Sequence, residues 1–296
     1  MLLNEVINEV YCFKEFITHA TELLKQFEET VKADAIPIFF GIHRYINAAA
    51  VDSIYEALRE LKPEGDVAVI LFSSGGDVDE AYLIAKLLQT LPKGKLTTYI
   101  PRYAKSSATL IACASDEIVM LPPAELGPID PVLYDPKTNK YIPLQSILEI
   151  IDIITKKNIP REALKEFIDR LPVIELGDYK RAVEHVTELA TKLLTKRMYK
   201  SNPEKAKQIA QKLVSYKQHG AAITIEDAKE IGLNTRKPTP REEEILWKLH
   251  KLWYQHIIEA EYIFKETNPE PIDFKLWKGT IHTITPQEII ERIRQK

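Results

Sequence analysis

The 296-residue chain is 45% apolar and 28% charged with a net charge of -3, enough apolar mass for one large α/β core in a protein of ordinary soluble composition. It has no basic run to support nucleic-acid binding, and no stretch approaches the roughly 18 apolar residues of a membrane span. Asn4, Glu5 and Glu9 stand where a secretory signal would be basic and then apolar, so a cytoplasmic location is expected.

In chain order, Leu2 to Lys32 place Val6, Val10, Phe13, Phe16, Ile17, Leu23, Leu24 and Phe27 at helical spacing, which predicts one long amphipathic helix. Pro37 to Ile42 read as a first strand and Ala48 to Leu61 as the helix of a βαβ pattern. Asp66 to Phe72 form a continuous apolar, β-branched run, a strand buried on both faces. It ends in Ser73-Ser74-Gly75-Gly76, after which Asp77, Asp79 and Glu80 open a helix with the acidic residues its dipole favours. Lys95 to Ile100 read as another strand, and Ser106 opens a small-residue helix through Ala114. Helices are expected from about Pro143 to Lys157, from about Pro160 to Arg170, and from Thr224 to a stop at Gly232. Beyond a break at Pro238 to Pro240, Glu242 to Phe264 set Ile245, Leu246, Leu249, Leu252, Trp253, His256, Ile257, Ala260 and Ile263 on one helical face. Thr285-Pro286-Gln287-Glu288 read as a capping box that starts a last short helix.

Three segments carry chemistry. Adjacent glycines at the end of a buried strand let backbone N–H groups turn toward a developing negative charge, although an ordinary strand-to-helix turn has the same residues. A serine at a helix start gains from the dipole, and Ser107 N–H can face the same oxyanion; an N-cap is the structural alternative for Ser106. A serine hydroxyl needs a base, and Lys180 in Gly177-Asp178-Tyr179-Lys180 can serve only if burial brings its pKa from about 10.4 to roughly 7 or 8. The alternative to that role is a solvated surface charge. His219 and His185 are alternative bases. The cysteines, Cys12 and Cys113, lie far apart and no histidine pair has ligand spacing on one helix, so neither a disulfide framework nor a metal site is expected.

The Gly-Gly turn, the Ser106 helix ending in Leu110-Ile111-Ala112-Cys113-Ala114-Ser115-Asp116-Glu117-Ile118, Leu176 to Glu184, and Ile223 to Leu233 together resemble signal peptide peptidase A, of the Clp protease and crotonase superfamily. The likeness covers about residues 36 to 235, and Glu125 to Pro131 are similar to the serine dehydrogenase proteinase branch. It implies a Clp/crotonase-like α/β fold of stacked βαβ units with additional terminal helices. Residues 1–35 then form an N-terminal helix, 36–237 a peptidase domain with an insertion at about 134–171, and 238–296 a C-terminal helical extension.

The resemblance further implies a serine endopeptidase with Ser106 as nucleophile, Lys180 as base, and oxyanion-hole amides at Gly75, Gly76 and Ser107. It needs no cofactor, acts on unfolded or hydrophobic peptides, and assembles into homo-oligomers; family members are often membrane-anchored, so a soluble or peripheral form is expected. Where the family has glycine soon after the nucleophile this chain has Ser107-Ala108, and Asp130 stands near the position of the Clp histidine, so a Clp-type Ser-His-Asp triad is not expected. Two other functions remain open: a crotonase-like acyl-CoA enzyme relying on Asp77, Glu125 or Asp130, and a non-catalytic scaffold that binds peptides or partner proteins.

Overall fold

The computed structural model describes residues 11–135, 140–143, 173–216 and 218–294. The chain runs through α1 (Tyr11–Val31), β1 (Asp34–Phe40), α2 (Ala48–Leu58), β2 (Val67–Phe72), α3 (Val78–Thr90), β3 (Leu96–Ile100), β4 (Tyr103–Ala104), α4 (Ser107–Ala112), β5 (Glu117–Met120) and β6 (Glu125–Leu126). A hairpin of β7 (Val132–Asp135) and β8 (Lys140–Pro143) follows, then α5 (Val173–Lys196), α6 (Pro203–Val214), α7 (Ile225–Ile231) and β9 (Thr235–Arg236). The last elements are α8 (Pro240–Trp253), a π-helical turn (Tyr254–Ile258), α9 (Glu259–Phe264), β10 (Pro269–Leu276), β11 (Gly279–Pro286) and α10 (Gln287–Arg294). The helices expected at 143–157 and 160–170 lie outside the described residues, except that Pro143 closes β8.

Seven strands form one sheet in the order β10-β11-β1-β2-β3-β5-β9, parallel throughout except for the β10–β11 pair. Every residue of β2 is buried, which is why its apolar run is unbroken. At the carboxyl ends of the strands, β4 pairs with β6 in a second small layer, and a bridge from Ser73 to Ala104 joins it to β2. Phe13, Phe16, Ala20, Leu24 and Phe27 of α1 are fully buried, and Phe13 meets Phe274 with ring centres 5.4 Å apart. The N-terminal helix thus completes the core. Among the described residues no helix is long and apolar enough to cross a membrane.

The C-terminal region departs from the expected helices. Pro269–Leu276 and Gly279–Pro286 form a hairpin across a two-residue turn, Trp277-Lys278, and add two strands to the sheet. Pro286 ends β11, and the buried Thr285 hydroxyl bonds to none of the described residues, so the expected capping box is not formed. The long helix is interrupted by the π turn, whose wider winding rotates the residues beyond it. As a result Ile263, expected inside, is 67% exposed, whereas Glu261 is fully buried. The Glu261 carboxylate accepts from Thr283 Oγ1 at 2.6 Å and His43 N at 3.2 Å; burial nevertheless raises its pKa. It occupies the space over Gly41, where a Cβ would lie 1.7 Å from Oε1.

Helix α8 starts in a capping box, Thr239 with Glu242, and Glu242 also takes Arg236 of β9 at 2.8 Å to each oxygen and Tyr99 of β3 at 3.0 Å. Burial raises the Glu242 carboxyl, but the bonds from Arg236 and the Thr239 N–H outweigh it and hold the pKa at about 2, below the ordinary 4.5. A depressed carboxylate contributes stability that is complete above its unfolded pKa and is lost as pH falls through the folded one. The thermal midpoint is therefore expected to drop between about pH 4.5 and 2, and Glu242→Gln to lose that share of the slope. Melting curves across this range, wild type against variant, check it.

Candidate active site

Strand β2 delivers the Gly-Gly turn. Ile46 N–H donates to Gly75 O at 3.0 Å and Asp77 N–H to Ile46 O at 2.9 Å, bracketing Gly76 as a parallel bridge does. In such a bridge the bracketed residue's own N–H points the other way, away from Ile46. Gly75 and Gly76 have φ of +105° and +152°, and a Cβ at Gly76 would lie 2.3 Å from Ile46 N. Asp77 caps α3, its Oδ1 accepting from Asp79 N and Glu80 N.

Strand β3 delivers the serine. Ser73 N–H donates to Tyr103 O and its carbonyl accepts from Lys105 N–H at 3.0 Å, so the two loops leave the sheet side by side. Ser106 has φ +52° and ψ -126°, a strained backbone for a residue with a Cβ, and its side chain makes no capping bond to α4. A strained serine turn between strand and helix is the geometry that exposes a nucleophilic hydroxyl. Two glycines clamp the turn: a Cβ at Gly75 would lie 2.9 Å from Ser106 Cβ, and one at Gly127 would lie 3.1 Å from Ser106 N. Thr109 fixes the helix behind it, its hydroxyl 2.7 Å from Ala104 O, 2.8 Å from Gly127 O and accepting from Gly127 N–H at 3.0 Å.

Of the three amides expected in the hole, Gly75 N–H donates to Ser73 Oγ at 3.1 Å. Gly76 and Ser107 N–H bond to none of the described residues. Cys113, in the same helix, is fully buried, and burial pushes its thiol up to about 12, so it offers no competing nucleophile.

The candidate bases are placed less uniformly. His185 Nε2 lies 2.7 Å from Asp79 Oδ1 in the first turn of α3, while Arg197 just past the other end of α5 binds Asp116 at 2.6 Å and Gly94 O, where β5 and β3 begin. Helix α5 therefore runs from the serine's side of the sheet to the opposite side. Lys180 precedes His185 by five residues, about 7.5 Å along the axis, on the serine's side. Its side chain is 81% exposed, with Glu184 at 3.8 Å.

His219 Nδ1 is 2.9 Å from Oδ1 of Asp130, a carboxylate only 3% exposed, whose Oδ2 bonds to none of the described residues. The next residue, Gly220, accepts through its carbonyl from Lys105 Nζ at 3.2 Å, and that ammonium also meets Glu125 Oε2 at 3.0 Å. The His219 loop is thus tied to the residue before the nucleophile. Sequence reasoning named His219 and Asp130 separately; residues 89 apart carry no signal of pairing. Of the acyl-CoA carboxylates, Asp77 is spent on its cap and Glu125 on Arg102 and Lys105.

A strained serine at a helix start, with two backbone amides beside it that bond to none of the described residues, is the arrangement that acyl transfer calls for. The profile of the ClpP-like SDH-type serine proteinases matches residues 23–272, and the chain belongs to that family. Two uncharacterized proteins of Methanocaldococcus jannaschii are similar to it: MJ0137, 30% identical over 76% of this chain and 71% of its own length, and MJ1495, 31% identical over 72% and 67%. Among solved structures, a mutant of the 1510-N membrane-bound stomatin-specific protease is 15% identical, with a TM-score of 0.41 over 80% of this chain and 84% of that one. ClpP1 from Listeria monocytogenes is 12% identical, with a TM-score of 0.39 over 72% and 96%.

The clamp makes the glycines sensitive. Gly75→Ala and Gly76→Ala are each expected to cost about 1–3 kcal/mol of stability, whereas Gly65→Ala and Gly220→Ala, where a Cβ meets nothing within 4 Å, are expected to cost less than about 1 kcal/mol. Urea unfolding of the four variants measures the difference.

Proposed function

We propose that the chain is a serine endopeptidase acting on unfolded or hydrophobic polypeptides through Ser106. The observation that carries this is the Ser106 turn: strained backbone, a hydroxyl not used as a cap, and glycines on both sides. Ser106 Oγ attacks a peptide carbonyl while the base takes its proton, and the oxyanion sits on Gly76 and Ser107 N–H, with Gly75 holding the loop at contact distance. The C–N bond then breaks as the base returns the proton to the leaving amine. Water, activated by the same base, hydrolyses the acyl-serine ester and frees the hydroxyl. None of these steps needs a cofactor.

In the proposed Ser-Lys dyad the base is Lys180, carried by α5 to the serine's side of the sheet. Its side chain is 81% exposed, so this role requires that bound substrate cover it. The His219–Asp130 bond favours a second assignment, His219 as base oriented by a buried carboxylate. His185, held by Asp79, is the third candidate. A homo-oligomer, a cytoplasmic or membrane-peripheral location and the absence of nucleic-acid partners complete the proposal.

Casein cleavage and labelling by a fluorophosphonate test it. Wild type is expected to label and cleave, Ser106→Ala to do neither, and Lys180→Ala to lose about 10³-fold or more of its turnover, with His219→Ala and His185→Ala retaining most of theirs. Loss in His219→Ala with activity kept in Lys180→Ala moves the base to His219. A wild type that neither labels nor cleaves leaves the scaffold or acyl-CoA functions.

A further inference from the structure

The residue before the nucleophile carries a charge, and its side chain turns back onto the protein. Lys105 Nζ lies 3.0 Å from Glu125 Oε2 and 3.2 Å from Gly220 O, and the side chain is 25% exposed. Both of its peptide groups are also engaged: the N–H donates to Ser73 O at 3.0 Å and the carbonyl accepts from Ala108 N–H at 2.9 Å. Lys105 thus leads into the strained Ser106 turn with backbone and side chain both tied.

The ammonium spans a small layer beside the sheet. Strand β6 pairs with β4 on one side, and on the other Leu126 exchanges two bonds of 3.0 Å with Ile223 in an antiparallel bridge. Lys105 directly follows β4, binds the carboxylate of β6 and reaches the Gly220 carbonyl in the segment beyond it. Glu125 is itself braced by Arg102 at 3.0 Å to its other oxygen. Residues 218, 220 and 222 are exposed, and a Cβ at Gly220 would meet nothing within 4 Å, so hydrogen bonds rather than packing hold this turn. Asp130 holds it through His219, β6 holds it through Ile223, and Lys105 ties it to the nucleophile. The Lys105–Glu125 pair is charge-assisted and partly shielded from water, so salt screens it less than a surface pair.

A serine turn with positive φ keeps its shape only while its flanks are held, and a misplacement of about 1 Å at a reacting group costs on the order of 10²-fold in rate. Resting on serine-peptidase chemistry at Ser106, we infer that Lys105 is a positioning residue: its ammonium staples the 219–223 segment to the nucleophile turn and so keeps Ser106 in its attack geometry. The staple acts on Ser106 whichever base is used. Where His219 is the base, it also fixes that imidazole relative to the hydroxyl, because Gly220 is the next residue.

Three variants test it by fluorophosphonate labelling, casein-cleavage kinetics and melting temperature: Lys105→Met keeps the stem without the charge, Lys105→Arg can still donate to carboxylate and carbonyl, and Glu125→Gln weakens one anchor. Lys105→Met is expected to lose about tenfold or more in labelling rate and kcat, with KM within about threefold of wild type. Lys105→Arg is expected to recover both rates to within about threefold of wild type, and Glu125→Gln to lose at least about threefold. Exchange of the Ile223 amide hydrogen is expected to speed up in Lys105→Met and not in Lys105→Arg. Wild-type labelling and kcat in Lys105→Met overturn the staple and leave the peptidase standing. An equal loss in the methionine and arginine variants also overturns it, since the donated bonds are then not what matters. If Lys105→Met does not fold, wild-type kcat in Glu125→Gln has the same force. An unlabelled wild type removes the peptidase chemistry and the positioning role with it.

Discussion

The structure depends on two loops from neighbouring parallel strands being held in contact where the sheet ends. Ser73 bonds through both its N–H and its carbonyl to the Tyr103–Lys105 segment, so beyond the last residue of β2 the chain pairs with β4, the strand that follows β3. At that distance Gly75 has no room for a side chain, and a Cβ at Gly127 would press on Lys105 and Ser106 N at 3.1 Å. Ser106 carries the remaining cost in its positive φ, an expense of about 1–3 kcal/mol for such a residue. The bonds of Thr109 and the full burial of Ala108 to Ala112 hold the turn in place. Serine and amides come from different segments, yet the strand register fixes their relative position.

The same constraint reaches the C-terminal hairpin. Arg44 is buried and pairs with Asp273 of β10 at 2.7 Å, while its Nη1 also donates to Ile272 O and Thr283 O. Asp273 meets His282 at 3.1 Å, and burial drives the His282 pKa down, so the imidazole stays neutral as it stacks on Phe40. Two residues after Arg44 comes Ile46, whose backbone brackets Gly76 and turns that amide outward. An amide proposed for the oxyanion is thus braced by strands far along the chain.

This explains what could be read from the sequence. The strands under the site were legible because burial on both faces leaves only apolar residues, as in β2, and α7 was legible because Thr224 and Gly232 cap it by local rules. The hairpin was not, because β11 buries Thr280, His282 and Thr283, polar residues made tolerable by partners that hydropathy cannot foresee, Glu261 for the Thr283 hydroxyl and Thr280 for His282 Nε2. The π turn is a backbone event with no side-chain signature, and it moved Glu261 inward and Ile263 outward. Ser106, Gly75 and Gly76 were legible as a motif; that Gly75 already spends its N–H on Ser73, and that His219 meets Asp130, required the fold.

The two possible bases differ in where their activation comes from. His219 has its orienting carboxylate, Asp130, in place at 2.9 Å. Lys180 has no such provision among the described residues: its side chain is 81% exposed in the free protein, and a lysine acts as a base only once it is desolvated. Val183 lies three residues beyond Lys180 on the same helix. An apolar side chain seated against Val183 excludes water from the adjoining turn of α5. In a lysine mechanism the group that is recognised would then also desolvate the base, and poorly fitting peptides would lose kcat as well as affinity. In a histidine mechanism the two are separate, and poor fit would appear in KM alone.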